Sequence, residues 1–171
     1  MKYILTIFLL SGIASVNAQN LITYNDSVNH FSKGIPSGWR YGPPQQPGLK
    51  LVALSNVIDS ITITRPNYNI NIINQPNADL NIVYNKLKRY LTSDTATRIL
   101  EEGNLTINGT DFKWLIETHK NDVGAKKIDM HNFVFIAYKN NKSHILTMVS
   151  ASATFDKYKP LFSKVASTFT L

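Results

Sequence analysis

Three β-rich runs between residues 104 and 152 carry apolar side chains on both faces. A sheet that is apolar on both faces must be covered on both faces. The runs are separated by Asn121-Asp122-Val123-Gly124 and by Asn140-Asn141, both turn-forming sequences. Read as a two-residue hairpin loop, the second sets Lys139 opposite Lys142. Read as a four-residue loop, the first sets Lys120 opposite Ala125. In that register Phe112, Trp114 and Ile116 share one face with Phe133, Phe135, Leu146 and Met148. Leu115, Ile128, Met130, Val134, Ile136, Ile145 and Val149 take the other.

Two amphipathic segments are available as covers. Leu80, Val83, Tyr84, Leu87, Tyr90 and Leu91 recur at helical spacing, with Asp79 or Asn77 as cap. Thr154 opens a second stripe of Phe155, Tyr158, Leu161, Phe162, Val165 and Phe169, in which Pro160 predicts a kink or a late start. Upstream, Phe31, Lys33 and Ile35 alternate with Ser32 and Gly34 as a short strand ending at Pro36. Leu49 to Leu54 and Tyr68 to Ile73 are also β-rich, whereas Asn56 to Thr64 fits neither pattern. Three prolines and two glycines make Tyr41 to Gly48 a loop. The expected fold is α+β: an α/β/α sandwich with a central antiparallel sheet, its meander at 104–152, covered by helices near 79–92 and 154–169.

The length of 171 residues fits one domain. Lys2, the apolar run Ile4 to Leu10 and the small-x-small site Val16-Asn17-Ala18 read as a signal peptide over 1–18, leaving a single domain at 19–171. The expected location is periplasmic or secreted after cleavage near Ala18, with no transmembrane segment in the mature chain. The net charge of +7 falls to +6 with Lys2 removed, and the charges are scattered rather than striped. That pattern, with export, excludes a nucleic-acid partner. Cysteine is absent, which excludes disulfides, thiol nucleophiles and Cys-based metal centres.

Phosphate-binding loops, metalloprotease helices and nucleophile elbows are missing. In the expected register His119 and His144 lie about 16 Å and about 20 Å from His131, too far to share a metal. The same register sets His131 opposite both Trp114 and Ser150, with Asp129 two positions along. Asp129, His131 and Ser150 on one face make an outside candidate for a hydrolytic triad, and Trp114 the floor of a small-ligand pocket. Glu117 and Asp129 fall on opposite faces, and Glu101 and Glu102 point apart, so neither pair can flank one bond. Ion pairs with lysines are expected for all four acids. Trp39, Arg40 and Tyr41, beside the proline loop, are of the types that dominate binding hot spots. Trp39 is expected to tuck into the core, leaving Arg40 and Tyr41 exposed.

The order of parts resembles the PsbP-like α/β/α sandwich family. The residues that carry the likeness are Ile35-Pro36-Ser37-Gly38-Trp39, Arg65-Pro66-Asn67-Tyr68-Asn69-Ile70-Asn71-Ile72 before a helix, Ile107-Asn108-Gly109 opening a meander, Tyr138-Lys139-Asn140, and a final helix ending Ser167-Thr168-Phe169. That fold includes PsbP of photosystem II, DcrB-type envelope lipoproteins and a Ran-binding import factor. The resemblance implies a non-catalytic binding or assembly factor, which export would place in the cell envelope with a protein or envelope partner; a monomer without cofactor or metal is expected. A small-molecule or lipid carrier with a pocket between sheet and helix is the alternative; an esterase-like hydrolase is the weaker one.

Overall fold

Two-residue hairpin loops set the register of the main sheet. The structure is a computed structural model that describes residues 19–60 and 62–171, so the expected signal peptide and its cleavage site lie outside the described residues. The strands are β1 (Leu21–Asp26), β2 (Phe31–Pro36), β3 (Arg40–Gly42), β4 (Leu49–Leu54), β5 (Asn67–Asn74), β6 (Arg98–Ile107), β7 (Thr110–Val123), β8 (Lys126–Lys139) and β9 (Lys142–Ala151). Helix α1 (Leu80–Leu91) joins β5 to β6, and α2 (Phe155–Ser167) follows β9 after a 3-10 turn at Ser152–Thr154. The larger sheet has seven antiparallel strands in the order β3-β4-β5-β9-β8-β7-β6, and β1–β2 form a separate hairpin.

Asn140 and Asn141 join β8 to β9 with φ of +52° and +59°, the left-handed pair that matches strand twist in a two-residue loop. Lys139 therefore opposes Lys142, as expected. The β7–β8 turn differs from expectation. Gly124 takes φ +62°, the loop is Gly124-Ala125, and Val123 opposes Lys126. Asn121, Asp122 and Val123 stay in the strand because glycine meets the turn's need for a positive φ one step later. The slip is four residues, an even number, so every apolar side chain keeps its expected face. The meander also starts earlier than residue 104, at Arg98.

The two faces are covered unequally. On one, α2 and the β1–β2 hairpin seal a core of 21 buried residues that includes Ile35, Tyr68, Phe112, Leu146 and Phe162. The hairpin is locked to the end of α2. Ser32 and Thr170 exchange backbone hydrogen bonds of 3.0 and 3.1 Å, and the Gly34 amide donates to Thr168 Oγ1 at 2.8 Å. A Cβ on Gly34 would stand 2.8 Å from that oxygen, which explains glycine there. Lys33 is fully buried: its Nζ donates to the carbonyls of Val165 and Ala166 and lies 4.9 Å from the centre of the Phe169 ring. These carbonyls belong to the negative end of α2, which favours a cation, while burial holds the amine well below its ordinary value.

Among the described residues, α1 alone covers the other face. Asp79 caps it by accepting from the Ile82 amide at 2.8 Å, and Val83 and Tyr84 are buried against Leu115, Val134 and Ile136. The helix lies over β7 and β8, and residues of β4, β5 and β9 on the same face, including Val52, Asn69, Asn71 and Thr147, remain half-buried. Edge strand β6 ties to both helices. Glu101 pairs with Lys159 of α2 at 3.1 Å, and Glu102 with Lys88 of α1 at 2.7 Å and the Tyr84 hydroxyl at 2.5 Å. The two acids point apart and meet lysines, as expected. Pro160 causes no late start: α2 begins at Phe155, and the carbonyl that Pro160 cannot bond is that of exposed Asp156. Thr154 precedes the helix without capping it, since its hydroxyl donates to the Ala151 carbonyl at 3.3 Å.

Lys33→Ala leaves a cavity beneath the last turn of α2 and is expected to cost about 2–4 kcal/mol in urea unfolding, whereas Lys33→Met, which keeps the volume, should cost much less.

Candidate functional site

The proline-rich segment after β2 places its three aromatic and basic residues differently. Trp39 is buried at 7 % exposure, its ring 6.1 Å from that of Tyr68, so it anchors the segment and cannot itself offer a binding surface. Arg40 and Tyr41 are exposed on β3, the edge of the sheet, where they oppose Leu54 and Ala53. Tyr41 is 48 % exposed and meets Tyr24 of the β1–β2 hairpin edge-on at 6.0 Å. The expected loop therefore begins with a short strand, held by β4 on one side and, among the described residues, without a partner strand on the other.

The corrected register moves Trp114 away from His131. Trp114 opposes Phe135 and Gly103, and His131 opposes Thr118. The indole packs over Gly103, where a Cβ would stand 2.8 Å from Cζ2, and edge-on against Phe133 at 5.6 Å. His131 does oppose Ser150 as expected. The ring, however, packs against Phe155 at 4.9 Å, and its Nδ1 and the Ser150 Oγ are buried without hydrogen-bond partners. Ser150 is 0 % exposed. Asp129 is exposed and opposes Lys120. The three share a face without forming a relay, and a nucleophile at Ser150 would have no route to a substrate. Burial pushes the His131 imidazole below its ordinary value, and takes His144 down to about 4.

The separation of about 16 Å expected between His119 and His131 is overturned, because His119 opposes Met130. The two histidines are near neighbours across the strands but lie on opposite faces. Among the described residues no three His, Asp or Glu side chains are grouped to hold a metal ion.

The α1 face carries polar groups that the sequence reading passed over. Glu117 is 1 % exposed, and its carboxylate meets the Asn132 amide nitrogen at 2.5 Å and His119 Nδ1 at 3.2 Å. It thus pairs with a histidine and an asparagine, not with the expected lysine. These residues line a cleft of about 320 Å³ at the end of α1, together with Tyr90, Leu91 and Asp94. On the other side of Tyr90 and Leu91, a groove of about 460 Å³ runs between α1 and the uncovered strands, past Asn69, Asn71, Ile73 and Ile145. The signal was present: Glu117 and His119 are two apart on a strand, so they had to share a face.

The hydrogen bond to Glu117 raises the His119 imidazole above its ordinary value, against the opposing effect of burial. A histidine raised in this way stabilises the fold fully below its unfolded value and ceases to do so as pH rises through the folded one. The stability lost in His119→Gln should accordingly be largest in mildly acidic solution and shrink as pH rises, read by urea titrations of both proteins across that range.

The sequence profile described as PsbP matches residues 19–171. No curated protein matches the chain. The fold is similar to the solution structure of cyanobacterial PsbP (CyanoP) from Synechocystis sp. PCC 6803, with a TM-score of 0.65 at 18 % identity over 95 % of this chain and 98 % of that one. It is also similar to the Ran-binding protein Mog1p of Saccharomyces cerevisiae, at TM-score 0.62 and 11 % identity over 90 % and 96 % of the two chains. LpqN of Mycobacterium tuberculosis, involved in cell envelope biogenesis, gives TM-score 0.62 at 9 % identity over 90 % and 91 %. At these identities the likeness is one of fold.

Proposed function

The chain belongs to the PsbP family, and from that membership we propose that it is an exported, non-catalytic binding or assembly factor of the cell envelope that works as a monomer. The observation that carries this reading is the exposed pair Arg40 and Tyr41 on edge strand β3, next to the buried Trp39. Tyr41 is braced edge-on against Tyr24, and arginine and tyrosine dominate the energetics of many protein interfaces. As consecutive strand residues they project to opposite faces of the free edge, so a macromolecular partner that wraps this edge could reach both. Export rests on the leader-like sequence of residues 1–18. LpqN, a structural neighbour, is involved in cell envelope biogenesis, which supports the envelope part of this reading, and Mog1p is a Ran-binding protein, which supports the binding part. The buried, unpartnered Ser150 weighs against the hydrolase alternative.

A second reading, a small-molecule or lipid carrier, has support from the groove of about 460 Å³ between α1 and the sheet. Affinity capture from envelope extract with residues 19–171 separates the two. The binding reading predicts a partner captured by the wild type and lost, by about tenfold or more, in Arg40→Ala/Tyr41→Ala. Capture unaffected by the pair of substitutions would show that the surface is elsewhere. Capture of nothing, with a ligand co-purifying in native mass spectrometry, would favour the carrier.

A further inference from the structure

The connection from β4 to β5 is inside out. Val57 is 62 %, Ile58 47 % and Ile63 63 % exposed, whereas Thr62 and Thr64 are buried. The exposure does not come from want of local structure. The Asp59 amide donates to the Thr64 carbonyl and the Ile63 amide to the Asp59 carbonyl, each at 2.8 Å, which closes the segment on itself. Asp59 Oδ1 accepts from the Thr62 amide at 2.9 Å, and the Thr62 and Thr64 hydroxyls meet at 2.8 Å. Arg65 braces the base by donating to the carbonyls of Ser55 and Asn56, at 3.2 and 2.8 Å. Hydroxyls face inward and aliphatic groups outward, the reverse of what water selects. Ile63 holds its outward position at φ +57°, which a β-branched residue adopts only where its surroundings impose it.

Two observations bear on what covers this surface. The first is where the leader-like residues 1–18 join the domain. Gln19 Nε2 donates to the Ser37 carbonyl at 3.0 Å, and the Ser37 amide to the Asn20 carbonyl at 2.7 Å. The next residue, Gly38, accepts the Asn56 side-chain amide at its carbonyl, so the junction lies at the base of the exposed segment. A domain following such a leader out of a bilayer presents this end to the lipid. The second observation is charge. Exposed Arg40 opposes Leu54 at the start of the segment, and exposed Lys164 donates to the Gln19 carbonyl at 3.2 Å. The one acid of the segment, Asp59, spends an oxygen on the Thr62 amide. Valine, serine and threonine are also poor anchors for a protein partner, whereas lipid binding scales with apolar area and cationic charge. We propose that the segment from Asn56 to Thr64 docks the domain on an anionic lipid surface, with Val57, Ile58 and Ile63 entering the acyl boundary and Arg40 and Lys164 meeting headgroup phosphates. Its failure would leave the partner reading intact, because none of the three aliphatic residues belongs to the β3 pair.

Co-sedimentation of residues 19–171, which hold every described element, with lipid vesicles tests this. Vesicles of phosphatidylcholine mixed with phosphatidylglycerol should bind the protein, less so as salt is added, and vesicles of phosphatidylcholine alone should bind it more weakly. Val57→Ser and Ile63→Asn should each lower the partition coefficient by about fivefold. Asparagine tolerates a positive φ, so Ile63→Asn should at the same time keep or raise the urea midpoint, which separates lost lipid contact from lost fold. Val57→Ser makes the same test at a position without that strain. The proposal is overturned if neither vesicle binds the wild type, if phosphatidylcholine alone binds it equally, or if both variants bind as the wild type does. Self-association or protein capture that the two substitutions abolish, without vesicle binding, would overturn it as well.

Discussion

A sheet whose two faces are both apolar cannot stand alone, and everything else in this chain answers to that constraint. Ile70, Leu146 and Phe112 look one way while Leu115, Val134 and Ile136 look the other. The first face receives two covers, α2 and the β1–β2 hairpin, and these cover each other as well. Lys33 reaches from the hairpin to the last carbonyls of α2, so an amine that is costly to bury in an apolar core finds acceptors at the helix end that favours positive charge. The second face receives one helix of 12 residues, about 18 Å long, for a seven-stranded sheet. The helix covers β7 and β8, and the strands beyond it stay partly open. Fold and candidate sites therefore share one cause, since both cavities discussed above flank the helix that is too short to close its face.

The sheet's faces were legible because alternation survives an even error. Placing the β7–β8 turn at Asn121–Gly124 displaces the pairing by four residues, yet Phe112, Trp114 and Ile116 still face α2. The helices were legible for a similar reason: a 3.6-residue stripe over three turns has few competing readings. What the alternation pattern could not carry was distance along the strands. His131 was expected beside Trp114 and lies beside Thr118, and His119 was expected far from His131 and lies next to it on the opposite face. Residue identity at a turn decides such offsets, and Gly124 outweighed the Asn-Asp pair before it. Edge strand β6 was partly missed because Glu101 and Glu102 are poor strand formers; lysines from both helices compensate them in space, which sequence neighbours do not reveal.

The polar residues divide by environment more than by type. Ser150 is closed off in the core and half-buried His131 finds no partner for its Nδ1, whereas Glu117, itself buried, forms a bonded set with His119 and Asn132 beside the cleft at the end of α1. A list of candidate catalytic residue types ranks the first group above the second. Hydrogen bonding reverses that order: the first group has buried polar atoms left without partners, and the second is mutually satisfied. The same distinction separates Trp39 from Arg40 and Tyr41: the largest side chain of the three anchors, and its neighbours face outward.

The central claim is that one face of the sheet is sealed and the other open, and the absence of cysteine makes it directly measurable. Ile70 and Ile73 lie on the same strand, β5, the first 0 % and the second 37 % exposed. Thiol-labelling rates of the single variants Ile70→Cys and Ile73→Cys, taken in native buffer, read the two faces separately. The account predicts fast labelling at position 73 without unfolding, and labelling at position 70 only at the rate of global opening. Equal rates at the two positions, or protection at both, would contradict it.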